Sequence, residues 1–194
     1  MIKHVIGNNV LLHFQKTSDK MMVNGVEMYM DDSFNEDTLT NQDAVIAATP
    51  RKLTGFFKDF NLDIKIGDKV YVHHFATRKE HKLEVEGVKL TQLAYHQLYC
   101  KVVDGKISMI GDHILVEPMM ESDEDCMSGL LWLRDPERIS KLGILRYLNK
   151  FTKELGYKEG DVIAFPDYGE YKLNVEGVEY FRMRNEDIRG KYKS

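Results

Sequence analysis

Residues 155–190 read LGYKEGDVIAFPDYGEYKLNVEGVEYFRMRNEDIRG, and this stretch decides the fold. Gly160-Asp161 is a turn pair, because glycine reaches backbone angles closed to other residues and aspartate bonds its own backbone. The apolar run Val162-Ile163-Ala164-Phe165 has the length of a strand buried on both faces. Pro166 to Gly169 interrupts it. Tyr171, Leu173 and Val175 then alternate with Lys172, Asn174 and Glu176, the period of a half-buried strand. Glu176-Gly177 turns the chain and Val178 to Arg184 returns as the second arm of a hairpin. A short closing segment, Asn185-Glu186-Asp187-Ile188, follows.

The same signals occur in the same order about ninety residues earlier. Ile66-Gly67-Asp68-Lys69-Val70-Tyr71-Val72 answers Glu159 to Phe165, and Leu83-Glu84-Val85-Glu86-Gly87-Val88 matches Leu173 to Val178 at five of six positions. Further upstream, Ile6-Gly7-Asn8-Asn9-Val10-Leu11-Leu12 answers Ile110-Gly111-Asp112-His113-Ile114-Leu115-Val116. The offset is 104 residues at Gly7 and Gly111, 93 at Gly67 and Gly160, and 90 at Gly87 and Gly177, so the first copy has the longer insertions. Three ordered blocks predict a tandem duplication of one small β unit. The expected units are residues 1–104 and 105–194.

Each half is long enough for a modest core. A hydrophobic content of 43% and a charged content of 30% are those of an ordinary globular protein, and a formal charge of -4 gives no support to nucleic-acid binding. Cys100 and Cys126 do not make a disulfide framework and read as free thiols in a reducing compartment. The N-terminus MIKHVIGNNV lacks an apolar core or cleavage signature, and no stretch approaches membrane-spanning length, so a cytoplasmic location without membrane contact is expected.

Along the chain, Val5 to Phe14 predicts a strand with a turn or bulge at Gly7-Asn8-Asn9. Lys16 to Thr40 is polar, acidic and rich in methionine, and predicts a long loop containing a strand or hairpin. Asp43 to Ala48 predicts a strand ended by Pro50, and Arg51 to Asp63 an aromatic-rich excursion. Strands are expected at 69–75 and 81–86, with a return over Val88 to Val102 and a short junction at Val103 to Lys106. The second copy opens with a strand over Ile107 to Glu117, ended by Pro118. Met119 to Glu137 is acidic with an apolar centre, Leu130-Leu131-Trp132-Leu133. Ile139 to Tyr147 contains a strand with Gly143 near its middle, and Asn149 to Leu155 reads as one helical turn or a hairpin tip. Many short strands with regular turn signals predict an all-β barrel or sandwich.

The second copy resembles the GroES-like co-chaperonin family. The matching residues are Gly111-Asp112-His113-Ile114-Leu115-Val116, then Ser128-Gly129-Leu130-Leu131-Trp132 in a polar loop, Gly143-Ile144-Leu145, Gly160 to Phe165, Tyr168-Gly169 and Asn185 to Ile188. The resemblance covers 107–190 and extends through the repeat to 1–102. A tandem pair resembles the double-domain co-chaperonin of chloroplasts or a phage-encoded variant, and the lack of a transit peptide favours the phage or bacterial setting. The resemblance implies two tandem, partly open β-barrels, a homo-oligomeric ring and a mobile loop. That loop docks a short apolar segment, here Gly129, Leu130, Leu131 and Trp132, on a GroEL-type chaperonin.

The physical case for that segment stands beside the resemblance. Three large apolar side chains in an acidic loop are costly to leave in water, each worth ~1.5–3 kcal/mol on burial. The bland alternative is that they fold back on their own barrel. In the first copy the corresponding segment is Gly25, Val26, Glu27 and Met28, where the carboxylate of Glu27 breaks the apolar triplet. This difference favours a division of labour, the second barrel meeting the chaperonin and the first serving assembly.

Enzymatic readings find little. His73-His74, His81, His96 and His113 have no cysteine or carboxylate at ligand spacing, and neighbours on a strand point to opposite faces, so no metal site is expected. No phosphate loop, catalytic residue or cofactor site is recognised. Zinc-dependent alcohol dehydrogenases include a GroES-like domain, but they need a dinucleotide-binding half. Tyr29, Phe56, Phe57, Phe60 and Phe151 are expected in the core or at subunit contacts. The reading is a non-enzymatic co-chaperonin assisting protein folding. Its alternative is a ring-forming structural or assembly protein, such as a phage virion component, that reuses the barrel.

Overall fold

A computed structural model describes residues 4–14, 20–23, 26–29, 43–73, 76, 81–121, 127–128, 131–132, 137–166 and 171–192. The chain divides into two compact units, Met1–Lys106 and Ile107–Ser194.

The first unit's strands are β1 (His4–Val5), β2 (Asn9–His13), β3 (Lys20–Val23), β4 (Val26–Tyr29), β5 (Asp43–Pro50), β6 (Lys69–Val72), β7 (Lys82–Val85), β8 (Val88–Ala94) and β9 (Leu98–Val103). The second group is β10 (Lys106–Met109), β11 (His113–Met120), β12 (Met127–Ser128), β13 (Leu131–Trp132), β14 (Arg138–Tyr147), β15 (Val162–Ala164), β16 (Tyr171–Val175), β17 (Val178–Arg184) and β18 (Gly190–Lys191). Its helix α1 (Lys150–Glu154) lies between β14 and β15.

One sheet runs β10-β9-β6-β5-β2-β8-β7, with β1 paired parallel to β5. The other runs β16-β17-β11-β14-β15-β18. The fold is therefore all-β and, β1 apart, antiparallel. Both orders are open, with a strand at each end, so the described residues close no barrel. Read from β7 and from β16, the two orders correspond strand for strand as far as β9 and β18.

Hydrogen bonds repeat at the offsets of the sequence blocks. Gly67 N–H donates to Ile46 O at 2.8 Å, and Gly160 N–H to Leu145 O at 2.8 Å. Lys65 N–H donates to the Asp68 carboxylate at 2.9 Å, and Lys158 N–H to that of Asp161 at 2.9 Å. Tyr95 N–H reaches Asn8 O at 2.8 Å, and Asn185 N–H reaches Asp112 O at 3.0 Å. The glycine-aspartate pairs thus tie the turn before β6 or β15 to the central strand β5 or β14.

The second unit's core gathers Ile114, Val116, Leu145, Leu148, Ile163, Phe165, Phe181 and Met183, with Tyr157 and Ile188 packed against it. Phe165 meets Phe181 edge-on, ring centroids 5.9 Å apart. In the first unit Val10, Leu12, Ile46, Val70, Leu93 and Leu98 are buried in corresponding strands. The aromatic excursion forms a 3-10 turn at Gly55–Phe57. It is anchored where the Asn8 side chain donates to Thr54 O at 3.0 Å and accepts from Thr54 N–H at 2.8 Å. Phe57 and Phe60 are half-buried there, Phe57 stacking on His96, whereas Phe151 on α1 is exposed. The placement of the Tyr29 and Phe56 side chains falls outside the description.

Two local expectations change and two become specific. The return over 88–102 is two strands, because a 3-10 turn at Tyr95–Gln97 breaks it, held by the Gln97 side chain accepting from Ala94 N–H at 3.0 Å. The junction at 103–106 is a hairpin turn with Asp104 at φ 50° and Gly105 at φ 72°. Asn149 to Leu155 is helical, since Asn149 caps it by accepting from Thr152 N–H at 2.8 Å. Pro118 does not end its strand: β11 continues to Met120, with Pro118 opposite Gly143 beside a shift of register. Proline is tolerated inside a sheet where the ladder is already interrupted.

Asp161 also pairs with Lys191 Nζ at 2.6 Å. That bond, followed by the one from Lys158 N–H, holds the Asp161 carboxyl below the usual carboxylate range. A depressed carboxylate adds stability that is complete above its unfolded pKa and lost as pH falls through its folded pKa. Asp161→Asn should therefore lower the melting temperature at neutral pH. The deficit should vanish in acid below the depressed pKa, and a deficit constant across that range would refute the assignment.

Candidate docking loops

Each sheet carries an insertion between equivalent strands, residues 14–42 between β2 and β5 and residues 121–137 between β11 and β14. Within each, a separate two-stranded antiparallel ladder forms. In the first, Lys20, Met21, Met22 and Val23 stand opposite Tyr29, Met28, Glu27 and Val26. In the second, Met127 stands opposite Trp132 and Ser128 opposite Leu131. Only two residues separate the strands in both cases: Asn24 and Gly25, or Gly129 and Leu130. These four lie outside the described residues, as does Cys126.

Of the proposed docking residues, Leu131 and Trp132 thus fall on β13, and Val26 and Met28 on β4. The register alters the argument about Glu27. Glu27 stands opposite Met22, between the Met21–Met28 and Val23–Val26 pairs, and neighbours on a strand alternate between faces. By the same alternation Leu131 and Trp132 belong to opposite faces of their ladder. The sequence reading expected a strand or hairpin within the first insertion and a linear apolar triplet in the second. The first was visible: Asn-Gly between apolar arms is the strongest short hairpin signal.

The base of the second insertion is well defined. Glu121 N–H donates to Glu137 O at 2.9 Å, and Glu137 N–H donates to the Glu121 carboxylate at 3.1 Å. Met120 is opposite Arg138, but the next pair inward is Pro118 with Gly143, so β14 bulges between them. Lys141, inside that bulge, has φ 64°.

Among the described residues no group of three or more His, Cys, Asp or Glu side chains is placed to hold a metal ion. Cys100 is buried, and burial pushes its thiol up to about 12, so it remains protonated and unreactive at neutral pH. No described helix is long and apolar enough to cross a membrane.

Two all-β units with an inserted hairpin at the same place define a class of small β modules that present a loop. The comparison with known proteins is specific for the second. Residues 106–192 match the family of the chaperonin 10 kDa subunit. The co-chaperonin GroES of Helicobacter pylori (strain Shi470) is 31% identical over 87 residues, spanning 44% of this chain and 73% of that protein. The co-chaperonin GroES of Listeria monocytogenes serotype 4b is 32% identical over 87 residues, spanning 41% of this chain and 90% of that protein. The chain belongs to the GroES-like co-chaperonin family.

Proposed function

We propose that this chain is a non-enzymatic co-chaperonin that caps a GroEL-type chaperonin, with the segment Gly129, Leu130, Leu131 and Trp132 as its principal docking element. The observation that carries this reading is the match of residues 106–192 to the co-chaperonin family, with the paired strands β12 and β13 inserted between β11 and β14. A short apolar hairpin makes a weak contact by itself. Repeated around a homo-oligomeric ring, such contacts sum to firm and reversible capping. The second sheet ends at β18, and an edge strand is a natural template for pairing with another copy.

The first unit is, on this reading, a second and diverged copy of the same domain. Its support is the shared strand order and the repeated hydrogen bonds at Gly67 and Gly160, Asp68 and Asp161, and Tyr95 and Asn185. Glu27 stands opposite Met22, and neighbours on a strand alternate between faces, which supports the first loop as a second docking candidate despite its carboxylate. Gly25, Val26 and Met28 therefore stand as a second candidate segment.

The deciding experiment is co-purification of the full chain with a GroEL-type chaperonin, with and without ATP. Capture that depends on nucleotide and is lost when residues 127–133 are replaced by a Gly/Ser linker is the expected result. No capture in either condition, or capture indifferent to the replacement, would refute the proposal.

A further inference from the structure

We infer that Glu121 is a positioning residue for the second loop, its carboxylate closing the neck through which residues 122–136 leave the sheet. The inference rests on reading that loop as the docking element and adds the device that aims it.

The main ladder between β11 and β14 does not reach the loop unbroken. Its pairs at Val116 with Leu145, Glu117 with Ile144 and Pro118 with Gly143 are in step, and the next is Met120 with Arg138. Two steps along β11 therefore answer five along β14. Within the excess, Lys141 adopts φ 64° and its carbonyl accepts from Phe165 N–H at 3.0 Å, so the bulge is tied toward β15. A bulge interrupts pairing and bends its strand. The short ladder beyond it, Met120 with Arg138 and Glu121 with Glu137, gains little direction from the sheet behind.

Glu121 supplies what the bulge removes. Its N–H donates to Glu137 O at 2.9 Å and its Oε2 accepts from Glu137 N–H at 3.1 Å, so one residue meets both backbone groups of its partner. Loss of the carboxylate weakens the neck and favours fraying past the Met120–Arg138 pair to Pro118 and Gly143. The loop then lengthens from the residues between 121 and 137 to those between 118 and 143, a loss of about twofold in closure probability. A lost hydrogen bond of the exposed kind brings the total to about two- to fivefold per loop.

Glu121 begins the acidic flank, so a long-range charge effect is the rival explanation, and the conservative amide separates the two. Glu121→Gln keeps an acceptor oxygen and loses the charge; Glu121→Ala loses both. The full-length variants are compared by amide exchange at Glu137, by protease cleavage within 122–136, and by capture on a GroEL-type chaperonin with ATP. Glu121→Ala should speed exchange at Glu137, increase cleavage and weaken capture about two- to fivefold per loop at an unchanged melting temperature, while Glu121→Gln behaves as wild type. Equal effects of the two substitutions, or unchanged exchange and cleavage in Glu121→Ala, would overturn the assignment. Failure of the wild-type chain to bind would refute the docking function alone, and exchange and cleavage would still decide the role of Glu121.

Discussion

Gly143→Ala is expected to lower the melting temperature of the second unit by roughly 10 °C or more. A Cβ at this position would lie 2.5 Å from Val116 Cγ1, 2.9 Å from Glu117 O and 3.2 Å from Phe165 Cε1. The second of these atoms is backbone and cannot swing away. Gly143 faces Pro118 on β11 and Ile163 on β15, so it is held on both sides in the middle of the sheet. Relief would require β11 and β14 to separate beside the buried ring of Phe165. Overpacking of this kind typically costs ~1–3 kcal/mol, and more when backbone must shift. In a unit of this size each ~1 kcal/mol moves the midpoint by ~4–8 °C. Gly190→Ala is the control: no atom lies within 4 Å of its added Cβ, and it should melt as wild type. Equal midpoints for the two variants, followed by circular dichroism, would show that the approach at Gly143 is not a packing constraint.

The glycine also shows what was legible in the sequence. The sequence places Gly143 near the middle of a strand, and a glycine inside a strand marks a bulge or a close approach. Nothing local told which strand approached, because the contact joins residues far apart in the chain. Turn chemistry was readable where a glycine marked it. Glu86-Gly87 and Glu176-Gly177 have positive φ at both positions, 52° and 79°, then 51° and 87°; the glycines foretold the turns, whereas the angle at each glutamate is set by the two-residue hairpin. Pro118 was misread because a proline usually ends a strand, and only the register shown by β14 reveals the interruption that accommodates it. The break at Tyr95–Gln97 was hidden for a similar reason. Its apolar residues continue the strand pattern, and the turn is imposed by a side-chain bond from Gln97 and a backbone bond from Tyr95 to the distant Asn8. In the second loop the apolar residues were read as a linear triplet. A linear triplet and a two-stranded ladder place the same residues on different faces. Glu121 counted only as one residue of the acidic stretch Met119 to Glu137, since a carboxylate bonding a backbone N–H sixteen residues away has no local signature.

Trp132→Ala should weaken chaperonin capture by about 30-fold or more per loop while leaving the melting temperature within a degree or two of wild type. An aromatic anchor truncated at the centre of an interface commonly costs ~2 kcal/mol or more. The expectation of a small effect on folding rests on topology. Trp132 and its partner Met127 belong to a two-stranded ladder that, among the described residues, shares no hydrogen-bonded strand with the six-stranded sheet. If Trp132 instead filled the core, the substitution would cost ~3–5 kcal/mol and the midpoint would fall steeply. A thermal melt beside a capture assay therefore distinguishes anchor from core residue. Leu131→Ala sharpens the test. Leu131 pairs with Ser128 and occupies the face opposite to Trp132. A hairpin that docks through one face must lose far more from one of these substitutions than from the other. Trp132 has the larger apolar side chain, so its loss should dominate. Equal losses would mean that the segment opens and docks as an extended strand, with the β12–β13 ladder given up on binding.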